Sequence, residues 1–85
     1  MITKKMTIAI PTGLEARPVA LFVQVASQYD SSIYVEYENK KVNAKSIMGM
    51  MTLGLNTGEE VVITANGSDE ETAIENIEKY LSEAV

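Results

Sequence analysis

The stretch Val61-Val62-Ile63-Thr64-Ala65-Asn66-Gly67-Ser68-Asp69-Glu70-Glu71-Thr72-Ala73-Ile74-Glu75-Asn76-Ile77 changes period midway. Val61 to Ala65 is rich in β-branched residues and reads as a strand. Asn66-Gly67 is a turn signal. Ser68, with Glu71 three residues on, reads as a capping box. Ala73, Ile74, Ile77, Tyr80, Leu81 and Ala84 then fall on one face of a final helix. A helix with a single apolar stripe has to bury that stripe against another layer, and the strand just before it is the nearest candidate.

Working outward from this unit, Ile47 to Leu53 is apolar nearly all round and too short to be stable alone, so tertiary packing must hold it. Asn56-Thr57-Gly58 turns the chain from it into the Val61 strand. Lys41 to Asn43 is a brief strand, joined through Glu38-Asn39-Lys40 to one in which Ile33, Val35 and Tyr37 alternate with Tyr34, Glu36 and Glu38. Val19, Phe22, Val23 and Ala26 have the spacing of a helix face, with Pro18 suited to the first turn. That helix should start near Ala16 or Arg17 and stop before Asp30-Ser31-Ser32. From Ile2 to Ile10, Met6, Ile8 and Ile10 alternate with Lys5, Thr7 and Ala9, giving a half-buried strand that Pro11-Thr12-Gly13 ends. Four strands, with helices able to cover only one side, predict a two-layer α+β sandwich.

Composition narrows the function. The 85 residues suit a single domain, 1–85, with one modest core. Hydrophobic residues at 46% and charged residues at 22% mark a globular chain and not a disordered one. There is no cysteine and no histidine, which removes disulfides and thiolate or imidazole metal sites and leaves only oxygen ligands for any metal. A net charge of −5 argues against direct nucleic-acid binding, which needs a basic footprint. Neither a signal-peptide run nor a membrane span is legible, so a cytoplasmic protein without membrane contact is expected. Asp69, Glu70, Glu71, Glu75, Glu78 and Glu83 read as a solvated helix face. Tyr29, Tyr34, Tyr37 and Tyr80 read as packing residues, since the basic stripe of a base-stacking platform is missing. No catalytic triad or phosphate-binding glycine loop is present, and no cofactor is expected.

Two segments could carry chemistry. In Gly13-Leu14-Glu15-Ala16-Arg17-Pro18 a carboxylate and a guanidinium sit where a helix begins, a place that favours negative charge. In Val42-Asn43-Ala44-Lys45-Ser46-Ile47-Met48-Gly49-Met50-Met51, Ser46 stands just before the short helix and can act as its N-cap. Met50, Leu53 and Leu55 suit the core. Some of Ile47, Met48 and Met51 should be exposed beside Ser46, because so short a helix cannot bury every side, and an exposed apolar patch marks a docking surface. Methionine adapts to several partners there.

Together, Gly13 to Pro18 and Lys45-Ser46-Ile47-Met48-Gly49 resemble the HPr family, the small phosphocarriers of the bacterial sugar phosphotransferase system, over essentially the whole chain. The resemblance supplies what periodicity cannot: an open-faced sandwich with an antiparallel four-stranded sheet in the order 1-4-2-3 and three helices on one face. Carriers of the family have their phosphorylated histidine where this chain has Glu15, beside an arginine matching Arg17. Glutamate cannot make a phosphoramidate. It could form an acyl phosphate, simply suit the helix dipole, or pair with Arg17 as a partial, permanent mimic of phosphate.

The serine matching Ser46 is, in Gram-positive members, the substrate of an ATP-dependent kinase that also removes the phosphate, HPr kinase/phosphorylase. The resemblance is strongest to paralogues that keep this serine and lack the histidine, although those are expected to carry glutamine at position 15. It implies a non-enzymatic regulator of carbon catabolite repression. Its phosphorylated form would bind the LacI-type catabolite control protein A, docking through Arg17, Ile47, Met48, Met51 and Glu15. A monomer with a minor dimer is expected, because Pro-Thr-Gly is a hinge through which the first strand can exchange. The competing readings are a phosphocarrier working through the Glu15/Arg17 loop and an unrelated small-molecule-binding module.

Overall fold

The computed structural model describes residues 1–9 and 16–82, the side chains of 16–18 excepted. Its elements run β1 (Ile2–Thr7), α1 (Ala16–Ser27), β2 (Ser32–Tyr37), β3 (Lys40–Asn43), α2 (Ile47–Met51), β4 (Glu60–Asn66) and α3 (Glu70–Leu81). The strands form one sheet in the order β1-β4-β2-β3, every pairing antiparallel. α3 packs on β1 and β4, α1 on α3 and α2, and α2 beside β3. This is the open-faced sandwich with the expected strand order. The first strand ends at Thr7, earlier than the alternation through Ile10 suggested. Ile10 to Glu15 and Glu83 to Val85 lie outside the described residues, and with them Glu15 and Ala84.

The register explains the core. Val35 pairs with Ile63, Ile33 with Ala65, and Met6 with Val61. Directly opposed residues share a face, so these six side chains form one apolar sheet surface, and all are buried. Val19, Phe22 and Ala26 of α1, with Ala73, Ile74, Ile77 and Leu81 of α3, close over it. Phe22 is wholly buried, and its ring meets that of Tyr80 at 6.2 Å in a tilted pair that joins α1 to α3.

Lys4 departs from the alternating pattern. It pairs with Ile63 and so belongs to the helix-facing side of β1, where an apolar residue would be expected. The edge position resolves this, because Lys4 reaches past the core and its Nζ donates to Glu78 Oε1 of α3 at 2.7 Å. The N-terminal ammonium likewise pairs with Glu70 at 2.9 Å. β1 is thus tied to α3 at both ends of the helix.

The start of α3 differs from the expected capping box of Ser68 and Glu71. Asp69 is the N-cap residue and makes no side-chain cap bond. Its carboxylate is committed elsewhere, accepting from the backbone N–H groups of Asp30 (2.8 Å) and Ser31 (3.0 Å) and from the Ser31 hydroxyl. The hydroxyl bond, with the backbone donors, holds the Asp69 carboxyl below its ordinary range. Glu70 supplies the reach-back instead, accepting from Gly67 N–H at 3.1 Å. The crossing of the two loops is tight. A Cβ on Gly67 would lie 2.6 Å from both Cα and Oγ of the buried Ser31, so only glycine lets the backbones approach this closely.

Candidate functional site

The segment Asn43 to Leu55 is built from its backbone bonds outward. Ala44, fully buried, donates its N–H to Ile33 O at 2.9 Å and so continues the β2–β3 pairing past the end of β3. Asn43 turns the chain: its Oδ1 accepts from Lys45 N–H at 2.8 Å, and its carbonyl from Ser46 N–H at 3.0 Å. Ser46 is then extended (φ −108°, ψ 114°), the conformation of an N-cap, and its Oγ accepts from Gly49 N–H at 3.1 Å. A Cβ at Gly49 would sit 3.3 Å from that Oγ, so glycine leaves the capping hydroxyl room. Thr52 closes the helix with Oγ1 on Gly49 O at 2.6 Å. Gly54, at φ +60°, then reverses the chain in the left-handed region.

Side chains divide sharply along α2. Met50, Leu53 and Leu55 are buried and hold the short helix to the core. Ile47, Met48 and Met51 are exposed to 47%, 81% and 53%, far more than large apolar residues in a packed helix. All three lie on the short helix that the half-buried Ser46 caps. Arg17 lies in the first turn of α1, which packs against α2, but its side chain lies outside the described residues, as does all of Glu15.

Two features escaped the sequence reading. Leu21 of α1 is 44% exposed, and its signal was its position off the Val19/Phe22/Val23/Ala26 stripe. Lys45 sends its ammonium to Tyr29 O, just beyond the end of α1, at 2.7 Å. Nothing local foretells that bond, because the two residues meet only through the fold. Among the described residues no group of three or more Asp or Glu side chains could hold a metal ion. No helix among them is long and apolar enough to cross a membrane.

A serine capping a short helix that carries exposed apolar side chains, on an α+β sandwich ordered β1-β4-β2-β3, defines the class of small HPr-like proteins. The family model described as "PTS HPr component phosphorylation site" matches residues 2–83. The chain belongs to the HPr family. Among its relatives, the HPr-like protein Crh of Bacillus subtilis (strain 168) is 48% identical over 85 residues, covering all of both chains. The phosphocarrier protein HPr of Bacillus anthracis str. Ames superposes with a TM-score of 0.92 at 45% identity, over 94% of this chain and 95% of its own. Crh of Bacillus subtilis, solved as a swapped, intertwined dimer, gives 0.78 at 48% identity, over 100% and 98%.

Proposed function

We propose that this protein is a regulatory HPr paralogue, a single domain over 1–85, phosphorylated at Ser46 by HPr kinase/phosphorylase. Its phosphorylated form then binds catabolite control protein A as a corepressor, and DNA contact belongs to that regulator. The observation that carries the reading is a contrast. The chain has no histidine to carry a transferable phosphate. Yet Ser46, half-buried, caps a short helix whose Ile47, Met48 and Met51 are exposed. The 48% identity to a Crh protein supports the same assignment.

The physical consequence of phosphorylation is local. Phosphate adds close to two negative charges and three acceptor oxygens at the start of α2. The first-turn N–H groups there accommodate anions. The modification therefore creates a charged recognition surface next to an apolar one and leaves the fold in place. Arg17 bridges phosphoserine and an acidic group of the partner, and Glu15 contributes fixed negative charge to the contact. The protein is no enzyme, acts in the cytoplasm, and is a monomer with a minor dimer.

Two incubations test this by intact mass, one with the serine kinase and ATP, the other with phosphoenolpyruvate and the general transfer enzyme. One phosphate is expected from the kinase, abolished by Ser46→Ala, and none from the transfer enzyme. Phosphate arriving from phosphoenolpyruvate would instead establish a carrier working through the Glu15/Arg17 loop. Glu15→His is expected to gain that reactivity, since the imidazole is what the scaffold lacks.

A further inference from the structure

We infer that Asn43 and Lys45 are positioning residues that hold the Ser46 hydroxyl in a fixed presentation to the kinase. The inference rests on the reading of Ser46 as the phosphorylated residue. α2 has five residues and cannot fix its own orientation, so the direction of its N-cap is set by what anchors the chain on either side. On the Ser46 side the anchoring is dense. The Asn43 side chain accepts from Lys45 N–H, and the Lys45 ammonium donates to Tyr29 O. The Tyr29 hydroxyl in turn accepts from Asn76 Nδ2 of α3.

The choice of partner for Lys45 is informative. Lys4 and Lys5 form ion pairs with Glu78 and Glu60. Lys45 instead places its charge on a neutral carbonyl just past the C-terminal end of α1, where backbone acceptors lack helical partners. Its side chain thereby ties the position next to Ser46 to the turn that follows α1, the helix against which α2 packs. Asn43 is exposed, so its bond to Lys45 N–H serves the turn and not the core. A phosphoacceptor already held in its reactive direction spares the kinase the ordering step before transfer, and loss of that order appears in turnover.

Initial rates of Ser46 phosphorylation by HPr kinase/phosphorylase with ATP decide the matter for the wild-type chain, Lys45→Met, Lys45→Arg and Asn43→Ala. Each variant is checked by thermal melting. Lys45→Met and Asn43→Ala are expected to lower kcat about ten-fold with KM within about two-fold, and Lys45→Arg to recover most of the rate. Amide exchange at position 45 and at Ser46 should quicken in the two slow variants. If Lys45→Met melts below the assay temperature, Asn43→Ala, altered at an exposed residue, carries the comparison. An unchanged kcat in a folded variant overturns the inference. So does a raised KM at constant kcat, which would make Lys45 a docking charge for the kinase. Absence of phosphate on the wild-type chain would remove the underlying reading, and this one with it.

Discussion

Replacing Ser46 by alanine removes two things at once, the proposed phosphoacceptor and the N-cap of α2. The structure allows the second loss to be sized. Ser46 Oγ accepts one bond, from Gly49 N–H at 3.1 Å, and without it that donor loses its protein partner in a partly buried position. Loss of a serine cap typically costs about 1 kcal/mol. A domain of this size loses roughly 4–8 °C in Tm per kcal/mol. Ser46→Ala should therefore melt about 4–8 °C below the wild type. Ser46→Asn retains a capping oxygen and should melt within about 2 °C of it, since asparagine and serine cap equally well. Neither variant can be phosphorylated, so the pair separates stability from modification. Scanning calorimetry of the three proteins, followed by regulator binding after kinase treatment, completes the test. Equal melting of Ser46→Ala and wild type would refute the capping argument. Regulator binding by kinase-treated Ser46→Asn would refute the role of the phosphate.

Met48, the most exposed of the apolar residues on α2, is 81% exposed in the free protein. Met48→Asp should leave Tm within about 2 °C yet weaken regulator binding ten-fold or more, roughly 1.4 kcal/mol, as read by titration calorimetry. Gly67→Ala should destabilise by about 1–3 kcal/mol in urea melts, because the added methyl meets Ser31 backbone at 2.6 Å and cannot be absorbed by a flexible side chain. The depressed Asp69 carboxyl makes stability pH-dependent with a definite sign: the contribution is present above the unfolded carboxylate pKa and is lost as pH falls through the lower folded value. Melting curves of wild type and Asp69→Asn should thus be furthest apart near neutral pH and converge below about pH 4. A gap independent of pH would rule the linkage out.

What the chain shows as sequence and what it withholds divide on physical lines. Periodicity placed α1, α3 and β2, because features such as the Val19/Phe22/Val23/Ala26 stripe and the Ile33/Val35 alternation are local consequences of burial on one side; β4 was legible from its β-branched residues, and β3 and α2 from the turn and the apolar run that mark them. Strand order came from the resemblance alone, since alternation says which face is buried and not which strand lies alongside. The Ser68–Glu71 box failed because Ser68 and Asp69 compete for the same position. Asp69 took it with a carboxylate aimed at Ser31, 38 positions away in the chain. The exposed apolar patch could be anticipated from the shortness of α2. The bond from Lys45 to Tyr29 could not, because it exists only after α1 and α2 have packed.

Lys4 bears on how the molecule behaves among many copies of itself. Among the described residues the outer strands of the sheet are β1 and β3, and four of the chain's seven basic residues lie on them, Lys4 and Lys5 on one, Lys40 and Lys41 on the other. A second chain laid antiparallel along either margin, centred on these residues, would set lysine opposite lysine, which is destabilising. Charged edge strands of this kind resist the sheet-to-sheet growth that exposed margins otherwise invite. An open-faced fold can in this way leave an apolar docking patch uncovered on α2 while its sheet margins stay closed to polymerisation.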